Sequence, residues 1–85
     1  MLIILCRFIV SRNVSLRMEK SILQIFGDNV RKYRHKMQLS QEDFAELADV
    51  HRTYVGMIER AEKNITLLNM QKFAKALHVT ISDLL

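Results

Sequence analysis

The sequence predicts an all-α fold, and three observations carry that reading. Apolar residues recur at three- and four-residue spacing through residues 21–85, the period of helices that each bury one face. Ser21, Ser40 and Thr66 stand directly before three of those stretches, where a helix needs a side-chain acceptor for its free amides. Proline is absent and glycine occurs only at Gly27 and Gly56. That is too few turn formers for a sandwich of short strands, and it rules out collagen-like and linker-rich chains. A chain of 85 residues has room for one small domain. With Cys6 as the single cysteine an internal disulfide cannot form. Stability therefore rests on a packed core, and a reducing cytosol suits the chain.

Residues 1–20 read apart from the rest, as an N-terminal appendage or a mis-called start. Met1 to Val10 is apolar except for Arg7, but a helix needs about 20 consecutive apolar residues to cross a bilayer. Arg7 interrupts the run and Arg12 and Arg17 follow it, the reverse of a secretory signal's charge order. Met18 opens MEKSILQIFG, leading directly into the first helix, so translation from Met18 is the simpler reading. The β-branched content of the stretch also suits an edge strand.

From Ser21 onward the elements follow in order. Ile22, Phe26, Val30, Tyr33 and Met37 lie along one face of a first helix, and Arg31, Lys32, Arg34 and Lys36 gather toward its C-terminus, where the macrodipole favours cations. Gly27 inside this helix costs about 0.8–1 kcal/mol relative to alanine, and a close helix crossing accounts for it. Ser40-Gln41-Glu42-Asp43 marks a second start, with two acids in the first turn; this helix runs from Gln41 to about Ala48 and buries Phe44 and Ala48. Asp49 and Val50 interrupt the pattern, and aspartate tolerates a left-handed turn. A third helix spans about Arg52 to Arg60 with Val55 and Ile58 inward. Thr66 caps a fourth whose buried stripe is Leu67, Met70, Phe73, Ala74 and Leu77. Thr80 or Ser82 starts a final turn that returns Leu84 to the core. Met37 and Met70 fall at core spacing and read as packing residues.

A short second helix, a tight turn and a short third helix describe a helix-turn-helix. Small Ala45 admits close approach of the third helix, and Val55 and Ile58 fix it in place. Arg52, Thr53, Gly56 and Met57 are then expected to face outward. A helix that enters the major groove of double-stranded DNA reads base edges with its first residues. Arginine there binds guanine bidentately, threonine donates, accepts or meets a thymine methyl, and Met57 can touch such a methyl. Gly56 would leave room for a close backbone approach. Phosphate contacts need donors on both sides of that helix: Gln41 at the head of the second helix and Tyr54 at the helix edge, with Arg60, Lys63 and Asn64 as the opposite clamp. Plain exposure, capping or surface packing is the alternative for each of these residues. The net charge of +4 adds little to the case, because residues 38–85 alone carry five basic and seven acidic side chains.

Residues 26–85 resemble the lambda-repressor-like, Xre-type DNA-binding domain through LSQEDFAELADV, YVGMIER and FAKALHVTISDLL. Within it, HRTYVGMIERAEKNIT is similar to restriction–modification controller proteins. The resemblance implies a compact five-helix fold and a homodimer on pseudo-palindromic operator repeats that activates its own and the endonuclease gene and represses at high occupancy. Activation implies contact with RNA polymerase, for which Glu42, Asp43 and Glu46 form an acidic candidate patch. The resemblance also implies an ion pair between Arg34 and Glu59 that helps position the recognition helix; two solvated charges are the alternative that periodicity alone leaves open. Where the family has glycine, this chain has Asp49, Ala61 and His78, and His51 replaces the usual Ser, Thr or Asp cap. A phage-type repressor, or an antitoxin that holds a protein partner and its own operator, are the competing functional readings.

Other chemistry finds little support in the residues. His35, His51 and His78 are too dispersed for a metal site and no cysteine pair assists them, so no metal or cofactor is expected. No glycine-rich phosphate loop, nucleophile elbow or His-Glu-x-x-His run occurs, so an enzyme is not expected.

Overall fold

A computed structural model of the chain describes residues 21–85; the expectations for residues 1–20 lie outside the described residues. Four α-helices follow in order: α1 Ile22–Lys36, α2 Gln41–Ala48, α3 Arg52–Glu59 and α4 Leu67–Leu77. A four-residue 3₁₀ turn, Ile81–Leu84, completes the described chain. Among the described residues the architecture is all-α as expected, but the fifth element is this short turn rather than a fifth α-helix. Among the described residues no helix is long and apolar enough to cross a membrane.

Local chemistry sets the starts. The side chains of Ser21, Ser40 and Thr66 accept hydrogen bonds from the amides of Gln24, Asp43 and Asn69 at 3.3, 3.0 and 3.1 Å. Such a cap is worth about 1 kcal/mol against alanine. Thr80, not Ser82, caps the last turn: its hydroxyl accepts from the Asp83 amide while the Asp83 carboxylate accepts from the Thr80 amide at 3.0 Å. His51 caps α3 with extended backbone only and makes no side-chain cap bond.

All four α-helices stop in the same way without a glycine. Gln38, Asp49, Ala61 and His78 take φ of 58°, 59°, 60° and 59°. In each case the next amide reaches back to a carbonyl in the last turn: Leu39 to Arg34, Val50 to Ala45, Glu62 to Met57 and Val79 to Ala74, at 2.8–3.1 Å. This is the Schellman closure, which normally places glycine at the left-handed position. Leu39, Val50 and Val79 then pack against the core; after α3 the corresponding residue is the exposed Glu62.

The core gathers Phe26 and Val30 from α1, Phe44, Ala45 and Ala48 from α2, Val55 and Ile58 from α3, Phe73, Ala74 and Leu77 from α4, and Leu84. Phe73 sits at its centre, with Phe44 edge-on at 5.0 Å, Tyr54 edge-on at 6.0 Å and Phe26 tilted at 6.2 Å between ring centroids. Asn29 donates to the Leu84 carbonyl at 2.9 Å and ties the last turn to α1.

Three residues expected on buried stripes are instead exposed: Ile22 at 59%, Met37 at 36% and Leu67 at 72%. Ile22 and Leu67 open their helices and Met37 lies just past the end of one. Periodicity marks the face of a helix but not how far along it the neighbouring elements reach. Gly27 is where α1 crosses α3: a Cβ there would stand 2.5 Å from the Ile58 carbonyl oxygen and 3.0 Å from that of Glu59.

Candidate nucleic-acid interface

The inner side of α3 ends in a buried ion pair. Arg34 on α1 donates through Nε and Nη2 to the Glu59 carboxylate at 2.6 and 3.0 Å, and the two residues are 7% and 3% exposed. Gln41, at the head of α2, donates its amide to Glu59 Oε1 at 3.0 Å. Arg31 adds a bond to the Glu59 carbonyl at 3.2 Å and lies 3.5 Å from its carboxylate. Arg34 spends Nη1 on the Leu39 carbonyl at 2.9 Å, so the fork also fastens the stop of α1. Burial pushes the Glu59 carboxyl up, but hydrogen bonds from Arg34 and Gln41 and the charges of Arg34 and Arg31 outweigh it and hold the group below the usual glutamate range. One carboxylate therefore ties α3 to α1 and α2 at once. Buried charges persist only when paired and hydrogen-bonded, and here no buried side-chain polar atom lacks a partner among the described residues.

The outer side of α3 is built differently. Arg52 and Thr53 are exposed in its first turn, and Met57 is half-buried one turn on. Tyr54 is half-buried: its ring packs on Phe73, and its hydroxyl accepts from Asn69 Nδ2 at 3.0 Å. That bond leaves the phenolic proton free to be donated outward. Lys63 and Asn64 are exposed in the turn after α3. Glu42, Asp43 and Glu46 are exposed on α2.

Two expectations change here. Gly56 is buried rather than outward, because Arg60 folds back one turn and covers it; a Cβ on Gly56 would lie 3.0 Å from Arg60 Nη1 and 3.7 Å from Gln41 Oε1. Arg60 thus reaches toward the Gln41 side of the helix instead of joining Lys63 and Asn64 on the opposite flank. A long side chain can return over its own helix when the residue four places earlier has no side chain to block it. Its guanidinium meets Glu62, with Nε to Oε2 at 2.9 Å and Nη2 to Oε1 at 3.1 Å. Those bonds hold the Glu62 carboxyl below its ordinary range.

Sequence reading missed Asn69, Arg31 and Glu62 as members of this site. Asn69 and Tyr54 are fifteen residues apart, beyond any local pattern. Arg31 carried one signal, as it lies three residues before Arg34 on the same helix face.

The helix-turn-helix family (HTH_3) matches residues 30–84 of the chain. "Control protein C.SmaI" of Serratia marcescens is 47% identical over 64 residues, 75% of this chain and 76% of that protein. "Control protein C.BamHI" of Bacillus amyloliquefaciens is 45% identical over 69 residues, 80% of this chain and 85% of that protein. The crystal structure of the restriction-modification controller protein C.AhdI from Aeromonas hydrophila aligns with a TM-score of 0.72 at 40% identity, covering 74% of this chain and 96% of that one.

Proposed function

This chain belongs to the helix-turn-helix family, and from that premise we propose that it is a sequence-specific DNA-binding transcription regulator, the controller protein of a restriction–modification system. The observation that carries the reading is the two-sidedness of α3. Its inner end is locked by Glu59 to α1 and α2, while Arg52 and Thr53 stand exposed at its head. A short helix fixed on one side and open at its N-terminal turn is what major-groove reading requires.

Arg52 reads guanine through N7 and O6, Thr53 reads by its hydroxyl or methyl, and Met57 meets a thymine methyl. Gln41, Tyr54, Arg60, Lys63 and Asn64 hold phosphates and set the helix in the groove. Gln41 has a second amide hydrogen beyond the one given to Glu59, and Tyr54 has its phenolic proton. The protein works as a homodimer in the cytoplasm, two α3 helices entering successive major grooves about 34 Å apart on a pseudo-palindromic operator. Pairing doubles the phosphate contacts, which makes occupancy steep in protein concentration. When it activates, exposed Glu42, Asp43 and Glu46 on α2 meet RNA polymerase. It performs no catalytic step.

Selection of bound duplexes from a random library, followed by titration over a range of salt, tests this. Arg52→Ala is expected to relax the base preference at one operator position and leave the salt slope in place. Lys63→Ala is expected to weaken all sequences alike and lower the slope by about 1. A wild-type chain with no sequence preference overturns the reading.

A further inference from the structure

Arg60 and Glu62 stand apart from the rest of the α3 surface. Three of the four helix stops follow the left-handed residue with an apolar side chain on the core; after α3 that place goes to a carboxylate. It does not cap the helix but grips the guanidinium of Arg60 by Nε and Nη2. This is the bidentate edge that a phosphate uses on arginine. The same guanidinium lies over the notch at Gly56, which Gln41 at the head of α2 borders through its amide oxygen, 3.7 Å from where a Cβ would stand. The amide nitrogen of Gln41 donates to Glu59 and keeps a second hydrogen. Both members of the ion pair are about half exposed, with side-chain exposures of 52% and 51%, so water and salt weaken their hold on each other.

We propose that Arg60 and Gln41, meeting over Gly56, form one site for a DNA backbone phosphate, and that Glu62 is the internal anion this phosphate displaces. The inference rests on the DNA-binding reading above and deepens it. Glu62 stands in for the phosphate in the free protein: it keeps the arginine laid across Gly56, and it subtracts the same amount from binding to every sequence, because phosphates carry no sequence information. Gly56 is part of the site through its missing side chain.

The test uses the full chain and fluorescence anisotropy on two labelled 30-base-pair duplexes, one of scrambled sequence and one selected for preferred binding, between 50 and 200 mM KCl. Glu62→Gln, of equal size and without charge, is expected to tighten binding to both duplexes by a similar factor of about three to ten at the low-salt end, and to leave the salt slope nearly unchanged, because the same phosphate is engaged with or without the carboxylate. In an Arg60→Met background the same change is expected to give no gain. With Gly56→Ala, whose new Cβ pushes the guanidinium from its notch, most of the gain is expected to go. Unchanged or weaker binding by Glu62→Gln would overturn the inference, since the carboxylate would then be supporting Arg60 rather than competing for it. A gain that survives Arg60→Met would also overturn it, leaving only general charge repulsion. Wild-type protein that binds neither duplex brings down the DNA-binding reading and this inference together, whereas sequence-selective binding without the Glu62→Gln gain removes this inference alone.

Discussion

The two sides of α3 hold their charges by different means. On the inner side Glu59 is buried and receives three side-chain hydrogen bonds from Arg34 and Gln41. On the outer side Glu62 meets one arginine in the open. Each side also has a glycine, and the pair shows the same contrast. A Cβ on Gly27 would strike backbone carbonyls of Ile58 and Glu59, whereas one on Gly56 would meet the side-chain tips of Arg60 and Gln41. Backbone cannot yield and a side-chain tip can. The inner side therefore determines where α3 sits, and the outer side stays adjustable, which suits a surface that must fit a partner.

The sharpest way to break this contrast is Glu59→Gln. It leaves the Arg34 guanidinium buried opposite a neutral amide, and losing one partner of a buried pair costs about 3–5 kcal/mol. For a domain of this size that lowers the melting temperature on the order of 15 °C, which circular dichroism would register; an unchanged melting temperature would refute the structural role of the pair. The pH dependence has a definite sign. The folded-state pKa of Glu59 is depressed, so its contribution is whole above the ordinary glutamate value of about 4.3 and is lost as the pH falls through the lower folded value. Wild-type stability is expected to fall on that acid limb, and the limb should be shallower in Glu59→Gln.

Gly27→Ala comes next. The methyl group cannot fit 2.5 Å from the Ile58 carbonyl oxygen, so α1 and α3 must part. Overpacking of this kind costs about 1–3 kcal/mol, more than the helix-propensity gain of about 1 kcal/mol from removing a glycine. Denaturant titration is expected to show a net loss, with weaker DNA binding because the displaced element is α3.

The starts of the helices were legible in the sequence because capping is local: Ser21, Ser40, Thr66 and Thr80 each act on an amide three residues ahead. Three of the left-handed stops, at Asp49, Ala61 and His78, could be located by resemblance, since glycine is usual there. Gln38 escaped because neither its type nor its neighbours mark such a turn. The exposed head of α3 with Arg52 and Thr53 followed from the inward direction of Val55 and Ile58. What lay beyond reach was the path of long side chains. Arg60 covers Gly56, Tyr54 meets Asn69, and Gln41 turns to Glu59 only because separate helices bring these groups together.

Ala61 carries the contrast into the turn that leaves α3. Its φ of 60° costs an L-residue with a Cβ about 1–2 kcal/mol, part of which glycine returns as greater freedom in the unfolded chain. Ala61→Gly is therefore expected to stabilise the fold by about 1 kcal/mol, read as a higher midpoint in urea with the slope unchanged. A loss of stability would show that the left-handed stop after α3 is not what closes the helix.

Gly56→Ala has the smallest expected effect and separates the two sides most directly, because it is the same chemical change as Gly27→Ala with the opposite expected sign. Gly56 lies within α3 and outside the positive-φ region, so alanine removes backbone freedom from the unfolded chain without strain. The new methyl would stand 3.0 Å from Arg60 Nη1, and the guanidinium can swing away at the expense of one exposed ion pair that water and salt already weaken. Against that stands a helix-propensity gain of about 0.8–1 kcal/mol. The melting temperature is expected to rise by a few degrees or hold, while Gly27→Ala lowers it. If both substitutions destabilise alike, Arg60 is held over Gly56 as firmly as Arg34 is held to Glu59, and the outer side of α3 is as rigid as the inner.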